Sequence, residues 1–398
     1  MNVPTENILF YRLSAHNLQQ KLPADQIEKA AGACGLQNTP PGSWETALFN
    51  RLEKCSLEKL RTALYQDKSL LQAWSIRGVP LVFPTKETDI FLSPLKAQEG
   101  EEPWIYTRGI TLALDYLDMD FGTLLPLAKQ ACSYLDTHRI ASKEALDQTL
   151  ASIVSSFLSK EKQLLWNAPS MYGNPKKQTI GGAVVSFLLR PCSFYSLVVF
   201  GRRQGTVPEF TSLRNWLDEE PEHIEEGEKA LVRKFLHCYG PSTCHAFREW
   251  LGSSPQQAKR LWDQISQEIY PVQVMEKKCW IVAEDKEKLL CPPQPGESLL
   301  LLGPHDPYLD IRDKKLLLEN QSLQRKVWTT VSNPGVILKD GHIAGIWKPK
   351  TLKKSLQLSM ELYETFSSRE KEKLAQLAEA YASFRELSLK LSIESNFR

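Results

Sequence analysis

The sequence predicts an α+β protein that is mainly helical. Three observations carry that prediction. Apolar residues recur at helical spacing through most of the chain before residue 296. Groups of short helices are followed by pairs of short apolar runs about a tight turn, which reads as a hairpin. From there the pattern changes to strand-like runs and alternation, closed by one amphipathic helix. The 398 residues leave room for roughly two to four domains. A hydrophobic fraction of 42% with 24% charged residues excludes a largely disordered chain.

The first ~95 residues alternate short helices with polar breaks. "PADQIEKAAGACG" places Pro23 in a first helical turn and Gly35 as the stop, with Gln37 on the last turn before a Pro-Pro-Gly break. "GSWETALFNRL" and "SLEKLRTALYQ" follow. Ser56 opens the second of these as a cap, but Lys59 leaves the capping box incomplete. "LLQAWSIRGVPLVFP" then reads as two strands about Arg77-Gly78.

The clearest copy of this layout spans 227–284. "EGEKALVRKFLHCYG" is a helix ended by Gly240-Pro241, and "STCHAFREWLG" is the next. In "SSPQQAKRLWDQISQEI", Ser254 caps, Pro255 fits the first turn and Gln257 completes the box. "YPVQVMEKKCWIVAE" gives two strands around Glu276-Lys277-Lys278. Helices followed by a hairpin is the layout of a winged helix. Between the two copies lie long amphipathic helices, a Gly-rich helix start at "QTIGGAVVSFLL", and a hairpin tipped by Gly201-Arg202-Arg203-Gln204-Gly205. This is expected to be a middle winged-helix unit with a helical insertion. An acidic linker, "LDEEPEHIEEGEK", follows it.

The last stretch carries strand patterns in "ESLLLLG", "GVILKDGHIAGIWK" and "KSLQLSMELY". Lys339-Asp340-Gly341 is a hairpin turn. Ser367 and Glu370 open the final helix with a capping box, and its apolar stripe runs from Leu374 through Phe384 to Leu391. The expected segments are therefore 1–95, 96–217 and 218–295, each a winged-helix unit, and 296–398, β-rich with a terminal helix.

Lys plus Arg total 49 and Asp plus Glu 47, a net charge of +2. A polyanion site must come from local clustering, not from the field of the whole molecule. The eight cysteines are scattered, with no C-x-x-C pair and no His at zinc-ligand spacing, so reduced thiols and no metal are expected. The start "MNVPTENILFYRL" lacks a signal peptide's basic and apolar regions, and no apolar run reaches the ~18–20 residues of a membrane span. The expected protein is cytoplasmic and monomeric, with no cofactor and no membrane partner.

Several motifs together resemble the winged-helix DNA-binding family that includes the AlkZ-type and YcaQ-type DNA glycosylases. "GLQNTPPGSWETALFNR" looks like that family's Gly-Leu-Gln block. "LLQAWSIRGVPLVF" and "VVFGRRQG" resemble two of its hairpins. "LVRKFLHCYGPSTCHAFREWLG" resembles its Gly-Pro and Trp-Gly block, and "LLLLGPHDPYLD" with "KDGHIAGIWK" its Asp-Pro-Tyr segment and Trp hairpin. The blocks occur in order from about residue 10 to 390. The resemblance implies three tandem winged helices lining a basic groove for damaged double-stranded DNA. It also implies excision of alkylated or crosslinked purines, using a Gln–apolar–Gln or Gln–apolar–Asp motif. Gln37 matches the first position. Asn38 stands at the apolar position and Thr39 at the last.

Hydrolysis of an N-glycosidic bond passes through an oxocarbenium-like sugar and needs a group that holds or deprotonates water. A cationic alkylated base already leaves well, so an amide that orients water suffices. Gln37 suits that role. Thr39 has a hydroxyl to share the water but is no base at neutral pH. Asp306 in "GPHDPY" is the carboxylate that stands in as a catalytic candidate; the other role open to it is an Asp-Pro turn. His305 beside it and Asn38 are candidate DNA contacts. Arg202, Arg203 and Gln204 suit a hairpin arm reaching phosphates. Lys277-Lys278 and Lys176-Lys177 are further basic candidates, and the helix start at Thr179-Ile180-Gly181-Gly182 offers N–H groups to a phosphate. Trp74 and Trp347 are expected in the core. The other reading of the chain is a non-catalytic DNA-binding protein, because Thr39 replaces the second motif residue.

Overall fold

Helix-start chemistry is written correctly in many places. Ser142, Ser159, Thr179, Ser212, Ser254 and Ser367 each accept a backbone N–H from the first turn of the helix they open. The full Ser367/Glu370 capping box is present. At Ser254 only half of the expected box forms. Its hydroxyl accepts from the Gln257 N–H, but the Gln257 amide turns away and donates to the Pro94 and Lys96 carbonyls at 2.9 and 3.2 Å. Satisfying two carbonyls, the Pro94 one fully buried, outweighs a local cap.

The computed structural model describes residues 2–101, 109–205, 207–219, 221–293 and 298–395. The expected boundary at 295/296, and Glu297 of the expected strand "ESLLLLG", lie outside them. The architecture is mixed α+β, and the chain separates into two compact units. One comprises Met1–Ala63, Arg233–Thr243 and Gln267–Arg398, the other Leu64–Val232 and Cys244–Ser266.

The first unit holds a sheet in the order Ser388–Ser395, Ser355–Leu362, His342–Leu352, Gly335–Lys339, Leu299–Leu302. The turn at Asp340-Gly341 has positive φ at both residues, 47° and 87°, as a tight two-residue hairpin requires. Leu356, Leu358, Met360 and Leu362 point to one buried face, as their alternation implies.

The expected apolar stripe to Leu391 does not run as one helix. The helix Ser368–Phe384 stops, Glu386 takes φ 58°, and Ser388–Ser395 becomes an edge strand parallel to Ser355–Leu362. "SLKLSIES" has the period of a strand, and the helix is the crossover that two parallel neighbours need.

Helix Thr5–Ala15 is buried along both flanks. Leu9, Phe10 and Leu13 meet Leu302, Val336, Leu338 and Ile346, while Ile8, Tyr11 and Ala15 meet Val272, Ile281 and Leu289. The latter belong to and follow the hairpin Ile269–Val274 and Lys277–Val282. Its turn is Met275-Glu276, at φ 46° and 65°, so Lys277 and Lys278 lie on a strand and not at the tip as expected.

In the second unit, helices Phe121–Cys132, Lys143–Ser156 and Ile180–Phe194 enclose an apolar core with Trp166. A sheet runs in the order Pro80–Pro84, Leu70–Trp74, Val199–Gln204, Val207–Thr211, Ile140–Ala141. Trp74 stacks on Phe210 and tilts against Phe200, and Trp347 in the other unit is 1% exposed, so both tryptophans are core as expected. The "TIGG" glycines serve packing. A Cβ at Gly181 would lie 2.1 Å from the Trp166 ring, and the N–H groups of Ile180, Gly182 and Ala183 are taken by Ala168 and Thr179. That helix start has little left to offer a phosphate. Among the described residues, no helix is long and apolar enough to cross a membrane.

Candidate functional site

Gln37 is not on a helix. The helix Ile27–Gly32 ends and Gly35 takes φ 73°, with its N–H on the Ala31 carbonyl. The chain then extends through Leu36–Gln37. Leu36 is buried and anchors this step. The Gln37 side chain is half-buried and makes no hydrogen bond among the described residues, so it caps no helix. Its amide donor and acceptor are both available.

The next residues divide their work. Asn38 is buried, and its Oδ1 accepts the Gly42 N–H at 2.7 Å. It closes the turn that carries the chain from Gln37 into the following helix. Thr39 is exposed, precedes a cis Pro40, and its hydroxyl has no hydrogen-bond partner among the described residues. Ser43 binds back on the Pro40 carbonyl through both its N–H and its hydroxyl. Gly42, at φ 95°, starts the helix Ser43–Arg51 from the left-handed region.

That helix is held by polar contacts, several of them buried. Asn50 donates to the Leu301 carbonyl at 3.0 Å. Glu45 accepts from Arg61 and from Arg385 at 3.2 and 2.8 Å. Arg51 makes a two-pronged pair with Asp306, 2.8 Å at each oxygen, with side chains 1% and 0% exposed. Burial works against the Arg51 charge, but Asp306, with Cys34 and Tyr239, makes the net shift upward. Asp306 also accepts the Tyr308 N–H at 3.1 Å. Its geometry supports the turn-and-clamp role and puts neither oxygen in reach of solvent. His305 beside it is half-buried at φ 60°.

A cluster that no spacing in the sequence announces lies just before Gln37. His16 follows the first helix, Cys34 precedes Gly35, and Cys238 is in the last turn of Gly227–Tyr239. All three are buried. His16 Nδ1 is 3.9 Å from Cys34 Sγ, and His16 Nε2 is 3.0 Å from the Cys238 carbonyl. The Cys238 hydrogen bond, with help from His16 and Arg51, draws the Cys34 thiol well below its usual range despite burial.

The expected basic contacts are displayed on the surface. Arg202 and Gln204 are exposed and Arg203 half-buried on Val199–Gln204, where the register shifts between Phe200 and Arg203. Neither guanidinium has a partner among the described residues. Lys176 and Lys177 are exposed in the loop before Ile180, and Lys277 and Lys278 on their strand. A cleft of about 420 Å³ in the second unit is lined by Asp89, Asp136 and Glu222 against Arg214 and His223, an acid-rich lining unsuited to a polyanion. Arg51 and Glu45, which support the Gln37 turn, gave no sequence signal. Charged residues in an amphipathic segment ordinarily face water.

The model of the DNA glycosylase AlkZ-like family matches residues 30–384. The chain belongs to the AlkZ-like DNA glycosylase family. Among its AlkZ-like relatives is the interstrand DNA cross-link repair glycosylase of Streptomyces sahachiroi. The two are 26% identical over 364 residues, covering 87% of this chain and 88% of the relative. The solved structure of the Streptomyces sahachiroi DNA glycosylase AlkZ superposes with a TM-score of 0.75 at 18% identity, over 99% of this chain and 100% of that one. This second likeness carries the fold.

Proposed function

We propose that this AlkZ-like chain is a monofunctional DNA glycosylase that removes alkylated or crosslinked purines from duplex DNA, with Gln37 holding the attacking water. The observation that carries the reading is the state of Gln37. It is half-exposed with an unused amide, on a segment fixed by Leu36, Asn38 and the buried Arg51–Asp306 pair. A preorganised amide is what water positioning requires.

In the proposed step the water oxygen bonds to C1′ as the C1′–N9 bond breaks. The bonding pair leaves with the purine, and a cationic N7-alkylguanine departs neutral. The water proton goes to solvent. The products are the free base and an abasic sugar. Gln37 Oε1 accepts one water hydrogen and so aims the oxygen lone pair; Thr39 Oγ1 supplies a second contact. Neither takes the proton, so the chemistry relies on a good leaving group and suits cationic lesions.

Three winged-helix units over 1–95, 96–217 and 218–295 remain the finer reading of the fold. In support, helices Gly227–Tyr239, Cys244–Leu251 and Pro255–Asp263 precede the hairpin at Ile269–Val282. Arg202, Arg203 and Gln204, with Lys176, Lys177, Lys277 and Lys278, are the proposed phosphate contacts. His305 is a secondary one.

Incubating the protein with duplex DNA that bears N7-alkylguanine or a nitrogen-mustard crosslink tests the reading. Abasic sites are the expected product. Binding that leaves every lesion intact would establish the second reading, a lesion-binding protein, which Thr39 at the last motif position favours.

A further inference from the structure

We propose that His16, Cys34 and Cys238 form a binding site for a thiophilic cation, zinc(II), which anchors the segment leading to Gln37. Among the described residues they are the group of His, Cys and acidic side chains whose donor atoms converge, all within 4.8 Å of one another. Two sulfurs and one imidazole nitrogen are a donor set selective for zinc or copper(I) over hard cations.

The spacing fits. Zinc bonds of about 2.3 Å to sulfur and about 2.0–2.1 Å to nitrogen, at a tetrahedral angle, put neighbouring S and N donors roughly 3.5–3.6 Å apart. The Cys34 Sγ to His16 Nδ1 separation is 3.9 Å. A few tenths of an ångström of closure complete the contact.

The imidazole is already oriented for it. Its Nε2 sits 3.0 Å from the Cys238 carbonyl oxygen, which can only accept, so Nε2 carries the hydrogen. That leaves the Nδ1 lone pair facing Cys34. A histidine whose second nitrogen donates to a backbone carbonyl is the usual support of a metal ligand.

The charge also balances. Binding releases one proton from each thiol to solvent, and two thiolates neutralise the dication. The neighbouring Arg51 is neutralised by Asp306. A buried neutral assembly avoids the large desolvation cost of a lone buried charge. The ligands come from the end of the first helix, the turn before Leu36–Gln37, and the end of Gly227–Tyr239. The cation would pin three chain segments beside the glutamine. The metal site does not depend on Gln37 being catalytic.

The test uses the untagged full chain, expressed with zinc and purified reduced without chelator. Elemental analysis should find about one zinc per chain. Cobalt(II) exchanged into the site should show thiolate charge-transfer absorption and tetrahedral d–d bands. Cys34→Ser and Cys238→Ser should each lower the metal content to background. Cys132→Ser and Cys192→Ser, at two of the other buried thiols, should keep it. A metal-free wild type after zinc and cobalt loading overturns the proposal, as does full zinc retention in both Cys34→Ser and Cys238→Ser. A Cys34–Cys238 disulfide in metal-free protein also overturns it, and copper at the same residues overturns the zinc assignment. If the serine variants do not fold, the wild-type metal content and cobalt spectrum decide.

Discussion

Arg51 and Asp306 meet in a fully buried two-pronged ion pair, 2.8 Å at each oxygen, that fixes the helix following the Gln37 turn to the "GPHDPY" loop. Breaking such a pair strands a charge. Asp306→Ala is expected to destabilise the protein by about 3–5 kcal/mol, read by denaturant or thermal unfolding. A normally stable Asp306→Ala that lost excision alone would instead make Asp306 a catalytic group.

Gln37→Ala removes an amide with no partner among the described residues, so stability should stay within about 0.5 kcal/mol. Excision should fall by roughly tenfold to a hundredfold, the loss of about 1.4–2.7 kcal/mol of transition-state stabilisation. Single-turnover abasic-site formation on alkylated duplex measures it. Equal rates for wild type and variant would remove Gln37 from the mechanism.

Thr39 offers the reverse experiment. Thr39→Asp places a carboxylate where water can lose its proton, and should raise the rate by about tenfold or more on lesions that leave poorly. Thr39 is exposed, so the change should fold. No gain on any lesion would mean that the last motif position does not face the water.

Arg202→Ala with Arg203→Ala should weaken DNA binding and reduce the slope of log affinity against log salt by about two, one per lost phosphate contact. Titrations at several salt concentrations check this. An unchanged slope would take the hairpin out of the interface.

Asp285 governs part of the acid limb. Burial opposes its charge, but His237 at 2.7 Å and Lys288 at 2.9 Å hold its carboxyl down at about 2. A carboxyl depressed in the fold stabilises above its unfolded value of about 3.9 and loses that contribution as pH falls toward the folded one. Asp285→Asn should therefore be less stable than wild type at neutral pH, with the gap closing between about pH 4 and 2. Unfolding at several pH values shows whether the two curves converge.

Local chemistry was legible wherever one residue type decides a conformation. The Ser367–Glu370 box, the Asp340-Gly341 turn and the alternation from Leu356 to Leu362 all hold. Local rules failed where a distant partner competed. Gln257 left its box for Pro94 and Lys96, and Ser388–Ser395 left the helical stripe to join a sheet. Lys277 and Lys278 gave up the hairpin tip because Met275 and Glu276 take the two left-handed positions.

The sequence by itself determined the mixed α+β class, most elements, and the segment on which Gln37, Asn38 and Thr39 lie in order. Those follow from short-range periodicity, capping and turn geometry, which act within a few residues. Only the tertiary structure decided what each of them does. It buried Asn38 in a turn, left the Gln37 amide unused, and spent Asp306 on Arg51. It also brought Cys238 to His16, 222 residues away. Burial and partnership depend on which distant segments pack together, and a side chain's chemistry follows from them.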